Sequence, residues 1–209
     1  MSIIDSVFYI VILIFSIVIH EVAHGYVAYR FGDTTARDQG RLTLNPLSHL
    51  EWFGSVILPA ILILSGTGFV FGWAKPVPYN PFRLRNERWG TLAVVAAGIV
   101  VNLFVAIFFG MLMRVLLLNG IIDTGASTYA ILKVIIFLNI VLAFFNIMPV
   151  PPLDGSKILF SLLGQKFKKY ELFMERYSIV ILLFFVVFVW QFVAPVLFKL
   201  FSVITGQMF

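Results

Sequence analysis

Four stretches of this chain are apolar over the roughly 20 residues a helix needs to cross a bilayer, and together they take up most of its length. They run over residues 4–31, 90–118, 129–149 and 178–204. With 209 residues, 61% hydrophobic and 12% charged, little is left for a sizeable soluble domain. In lipid, backbone polar groups must be satisfied within the protein, which leaves helices as the spanning element for runs of this kind. The expected fold is an all-α polytopic membrane protein of about four transmembrane helices. One domain covers 1–209, with a core at 4–160 and an additional C-terminal transmembrane helix at 178–204. The first span has no basic segment before it and no small-residue cleavage site after it, so it reads as a retained span and not a signal peptide.

A fifth apolar stretch, 52–73, reads "WFGSVILPAILILSGTGFVFGW" and is interrupted by Pro59 and by the turn-forming "SGTG" at 65–68. Charge placement decides how to treat it. If the stretch returns to the side it left, residues 30–89 and 150–177 share one face of the membrane. That face then holds every lysine and arginine except Arg114, Lys133 and Lys199. If the stretch crosses fully, the basic loops at 30–41 and 83–88 fall on opposite sides. The positive-inside tendency favours the first arrangement, with a re-entrant or short-strand element at 40–80 and a short strand at "GRLTLN". The N-terminus is then outside, and the inner end of the first span approaches the cytoplasmic side.

The net charge of +5 follows from the same tendency and needs no nucleic-acid partner; no basic stripe or aromatic-spaced motif suggests one. Cysteine is absent, which excludes disulfides and thiolate chemistry.

The first span ends in "SIVIHEVAHGYVAYRFGD". Ionisable residues inside a span are costly and mark functional sites. His20 and His24 stand at i and i+4, on one helix face, and can present two imidazoles to one ion. Glu21 projects to the side of that face, where it can reach a water without occupying the metal; this is the zinc-plus-general-base arrangement. About 13 residues separate Val7 from His20, roughly 20 Å of a core about 30 Å thick, which puts the site in the inner third of the membrane.

Zinc needs a third protein ligand. Arg30 occupies the position six residues on where soluble enzymes place another histidine. The candidates are Asp33, Asp38, His49, Glu51 and Asp154. Asp154 is favoured because it follows a span that "PVPP" brings to a stop on the same side as His24, although Asp154 also suits a helix N-cap over "GSKILF". An oxyanion donor besides zinc would come from Asn102, Asn146 or His49, where asparagines in spans otherwise bond between helices.

"HEVAH" in the first span and "NIMPVPPLDG" closing a later one, in that order, resemble the site-2 protease family of intramembrane zinc metalloproteases. "GRLTLNPLSHLEWFGSVILP" and "FGWAKPVPYNP" are similar to its compact prokaryotic members without a PDZ domain. The resemblance implies one zinc ion per chain held by His20, His24 and Asp154, with Glu21 activating water. It implies cleavage of peptide bonds within or beside transmembrane segments of membrane-protein substrates, as in regulated intramembrane proteolysis. It implies that Asn146, Pro149 and Pro151 help hold the substrate, and that "FGWAKPVPYNP" offers it a strand edge. Two positions depart from the family pattern: Ile99 stands where a proline is common, and Glu51 where an aspartate is common. The alternative from another class is a membrane metal-binding protein or zinc transporter. Transport does not call for Glu21 beside the ligand face, and the chain shows no internal repeat.

Overall fold

The long apolar runs become helices whose ends are set by a few polar and small residues. The computed structural model describes residues 3–65 and 75–207. In chain order the helices are α1 (Ile3–Arg30), α2 (Thr35–Asp38), α3 (Leu58–Leu64), α4 (Glu87–Leu118), α5 (Ser127–Ile147), α6 (Asp154–Leu163), α7 (Lys168–Arg176), α8 (Ser178–Phe184) and α9 (Trp190–Thr205). The wider turn Phe185–Val189 joins α8 to α9 into one 28-residue rod. Among the described residues, four helices are long and apolar enough to cross a membrane: Val7–Arg30, Glu87–Leu118, Ser127–Ile147 and Ser178–Thr205. These correspond to the four runs read from the sequence.

Asn86 starts α4 by accepting the Trp89 N–H at 3.0 Å, an N-cap bond. Gly120, at φ +64°, ends it in the left-handed conformation that glycine adopts without strain. Helix α4 is central and touches α1, α5, α6 and α9. On one flank, Ala106 and Met113 of α4 meet Leu132, Ile136 and Ile140 of α5 and Val193, Leu197 and Phe201 of α9 in an apolar core. Gly110 lets α9 come close, since a Cβ there would run into Ile204. On the other flank α4 lies along α1, and that contact carries polar residues.

The interrupted stretch is a wide helical turn at Trp52–Ile57 followed by α3. These 13 residues rise roughly 20 Å as a helix, short of the hydrocarbon thickness. The chain leaves at His49 and returns beside it, where the Lys75 N–H donates to the His49 carbonyl at 2.8 Å. The described residues flanking the stretch, His49 and Lys75, therefore lie together. Residues 66–74, including most of "SGTG" and the start of "FGWAKPVPYNP", lie outside the described residues.

The short strand expected at "GRLTLN" does not form, and no strand occurs among the described residues. Its polar groups go to local partners instead of a ladder. The Arg41 N–H reaches the Ala36 carbonyl, the Asn45 N–H reaches Thr43 Oγ1, and the Thr43 carbonyl accepts from His49 Nε2.

Candidate metal centre

Helix α1 presents His20 and His24 toward α4, both buried, at 6% and 8% exposure. Helix α5 stops before the prolines, and α6 begins with Asp154 as its first residue, after Leu153 at the cap position. Gly155 makes this turn tight: a Cβ there would strike the Ile147 and Met148 carbonyls. The Asp154 side chain is thereby delivered to α1. Asp154 Oδ2 lies 3.0 Å from His20 Nε2 and 3.0 Å from His24 Nε2, and the two Nε2 atoms are 3.0 Å apart. Residues 134 positions apart in sequence thus close a triangle of atoms able to ligate a metal.

The hydrogen-bond network states which protons these atoms carry. The Ile135 carbonyl can only accept, so Asn139 Nδ2 donates to it at 2.9 Å and also reaches Ser16 Oγ. Asn139 Oδ1 then accepts from Asn102 Nδ2 at 2.7 Å, which turns Asn102 Oδ1 toward His20 Nδ1 at 2.6 Å. His20 therefore carries its proton on Nδ1. His24 does the same, because its Nδ1 faces the Val94 carbonyl at 2.7 Å. Partners on the outer nitrogen fix tautomer and orientation in this way at metal sites. In the neutral rings both Nε2 atoms are bare lone pairs, and they face a carboxylate oxygen. Three acceptors at 3.0 Å repel one another unless an added proton or a metal ion lies among them.

Zinc fits this donor set. A tetrahedral ion with bonds of about 2.0–2.1 Å spaces its ligands about 3.3 Å apart, close to the triangle observed. Gly98 of α4 lets the helix pack against both imidazoles: a Cβ there would stand 2.5 Å from His20 Cε1 and 2.6 Å from both His20 Nε2 and His24 Cε1.

Glu21 lies off the triangle. His20, Glu21 and His24 can bring ligand atoms within 4.8 Å of one another, but Asp154 approaches both imidazoles more closely. Glu21 Oε2 accepts the Val77 N–H at 2.8 Å, which leaves its other oxygen free to turn toward the site. Asp154 Oδ1 lies 3.8 Å from Lys157 Nζ. Lys157, Tyr79, Arg88 and Glu175 are among the residues lining a neighbouring cavity of about 510 Å³.

The other ligand candidates are engaged elsewhere. Asp33 is fully buried and accepts from the Thr35 hydroxyl and from the Thr35 and Asn80 N–H groups. Burial opposes its charge, but these bonds, with Arg83 nearby, hold its carboxyl below the usual carboxylate range. Asp38 is exposed and pairs with Thr34 and Arg37. His49 is buried in the loop, donates to the Thr43 carbonyl, and holds Lys75 through its own carbonyl. Glu51 is half-buried just ahead of Trp52. Asn102 is a partner of His20, whereas Asn146 Nδ2 bonds to the Leu142 carbonyl of its own helix. Pro149 is exposed and Pro151 buried. The sequence reading missed Ser16, Gly98 and Asn139. Ser16 had a signal, as the one polar residue in "VFYIVILIFSIVI"; the Asn139 signal was a second asparagine inside a span.

The model of the family described as Peptidase family M50 matches residues 8–128 and 119–189. The provisionally named zinc metalloprotease YwhC of Bacillus subtilis is 38% identical over 192 residues, covering 89% of this chain and 80% of the relative. The provisionally named zinc metalloprotease Rip2 of Mycolicibacterium smegmatis is 32% identical over 145 residues, 67% of this chain and 51% of the relative. Zinc metalloprotease MJ0392 of Methanocaldococcus jannaschii is 25% identical over 166 residues, 78% of this chain and 37% of the relative. The chain thus spans most of the first relative and about half or less of the other two. No solved structure matches.

Proposed function

The chain belongs to peptidase family M50, and on that premise we propose that it is an integral membrane zinc metalloprotease that hydrolyses peptide bonds within or next to transmembrane segments of other membrane proteins. The observation that carries this reading is the single Asp154 oxygen 3.0 Å from both His20 and His24 Nε2, with Glu21 beside the triangle and outside it.

His20, His24 and Asp154 would hold the zinc, which would supply Lewis acidity toward water and the scissile carbonyl. Asn102 and the Val94 carbonyl keep the two imidazoles in the ligating tautomer. Glu21 takes the proton of the attacking water on the oxygen that Val77 does not hold, and returns it to the leaving amide nitrogen. Asn146, near the end of α5, and the exposed Pro149 after it contact the substrate backbone, and the buried Pro151 helps hold it by shaping the turn that carries them. Water enters through the cavity bounded by Tyr79 and Lys157, from the cytoplasmic side of a prokaryotic membrane.

The test is cleavage of a transmembrane peptide in liposomes, with product masses read by mass spectrometry. Wild type produces a defined cut in or beside the apolar segment. Zinc-loaded, folded wild type that cuts no member of a panel of such peptides contradicts the reading.

A further inference from the structure

The stretch Lys75-Pro76-Val77-Pro78 carries prolines on both sides of one valine. Proline has no N–H, so Val77 supplies the sole backbone donor of residues 76–78. That donor goes to Glu21 Oε2 at 2.8 Å. The turn therefore has little else with which to fix itself through its own amides. It is fixed through its carbonyls: Arg41 Nη2 donates to the Lys75 carbonyl at 2.7 Å and reaches the Pro76 carbonyl at 3.3 Å. The Lys75 N–H is tied to the His49 carbonyl. Arg41 is buried at 8% exposure, and Val77 at 5%. The Val77 side chain and Leu42 crowd against Gly25 of α1, one turn past Glu21, where a Cβ would stand 2.6 Å from Val77 Cγ1 and 2.7 Å from Leu42 Cδ2.

We propose that Arg41 is a positioning residue for Glu21: its guanidinium clamps the Lys75–Val77 turn so that the Val77 N–H holds one oxygen of the base and leaves the other aimed at the water. This rests on the proposed protease reading only for its consequence; the clamp itself is a property of the fold. A buried guanidinium is suited to this, because its permanent charge lets one nitrogen, Nη2, hold two successive carbonyls in a charge-assisted contact. Arg41 touches neither the ligand triangle nor the reacting atoms, so its effect reaches the reaction through the turn.

Two measurements on Arg41→Gln test it. In the first, hydrogen exchange is followed on the zinc-loaded chain by mass spectrometry of a fragment that begins at Lys75 and ends at Pro78, whose one backbone amide hydrogen is that of Val77. We expect the wild-type fragment to be protected, and protection to be lost both in Arg41→Gln and in Glu21→Ala, with fragments of α4 and α5 unchanged. Protection that survives in Arg41→Gln overturns the clamp, whatever the enzyme does. In the second, peptide cleavage is measured in a double-mutant cycle with Glu21→Asp, whose shorter side chain draws back from Val77. We expect Arg41→Gln to lower kcat by about 10- to 100-fold, with KM and zinc per chain unchanged. It should add little to Glu21→Asp, and Arg41→Lys should recover part of the loss. Equal losses in both backgrounds, or a loss that falls on KM, would overturn the positioning role. If wild type cleaves no peptide, the protease reading fails, and the exchange result still decides the clamp.

Discussion

Helix α4 has two flanks, and both are buried within the spans. Toward α5 and α9 it packs Met113, Ile136, Ile140, Leu197 and Phe201, each no more than 1% exposed, with apolar neighbours on every side. Toward α1 it buries His20, His24 and Asn102 at similar depth. The second flank is sustained because its polar atoms are paired in series: the Ile135 carbonyl orients Asn139, Asn139 orients Asn102, and Asn102 orients His20. The series ends at the two Nε2 atoms that face Asp154. One flank is thus organised by volume and the other by proton direction, and substitutions should separate the two.

The largest effect is expected at Glu21. On the proposed mechanism Glu21→Gln should keep the shape and the zinc but remove the base, and peptide cleavage should fall by about 10²- to 10⁴-fold. Zinc lost from this variant as fully as from His20→Ala would place Glu21 among the ligands and erase the distinction drawn here. On the apolar flank, Phe201→Ala should cost about 3–5 kcal/mol of stability by leaving a cavity. In reversible unfolding from detergent it should lower stability while zinc per folded chain stays at the wild-type value. On the polar flank, Asn102→Leu should do the reverse. Its helices remain packed, but His20 loses its tautomer partner, and zinc affinity measured by chelator competition should drop about 10- to 100-fold. Equal zinc affinity in this variant would mean that proton direction along the series does not matter.

The smallest effect is expected outside the membrane, at Asp33. Its carboxyl titrates below its unfolded value near 3.9, so its contribution to stability is complete above that value and is lost as pH falls through the folded pKa. Asp33→Asn should lower the thermal midpoint by a constant amount above about pH 5, and the gap from wild type should close below about pH 4. A gap that persists unchanged into acid would mean that the Asp33 bonds to Thr35 and Asn80 do not depend on its charge.

The four spans were legible in the sequence because length and hydropathy suffice for that. The His20–Glu21–His24 group was legible because i and i+4 neighbours need no tertiary knowledge. Asp154 could be singled out because prolines end a span just before it. Asn139 and Gly98 could not: Asn139 meets Ser16 across 123 residues, and Gly98 matters only because α4 happens to face the imidazoles there. The Val77 and Arg41 contacts were hidden for the same reason. Their partners are set by how the loop folds back onto α1, which no local pattern encodes. The strand expected at "GRLTLN" failed where local alternation met side chains able to satisfy the backbone within the loop.

The most direct measurement is zinc per chain by mass spectrometry, in detergent-purified wild type beside Asp154→Asn and Asp154→Ala, with helix content checked by circular dichroism. The account predicts about one zinc in wild type and little in either variant, with helix content retained. Zinc held equally by folded wild type and both variants would show that Asp154 does not complete the histidine pair, and would contradict the metal centre described here.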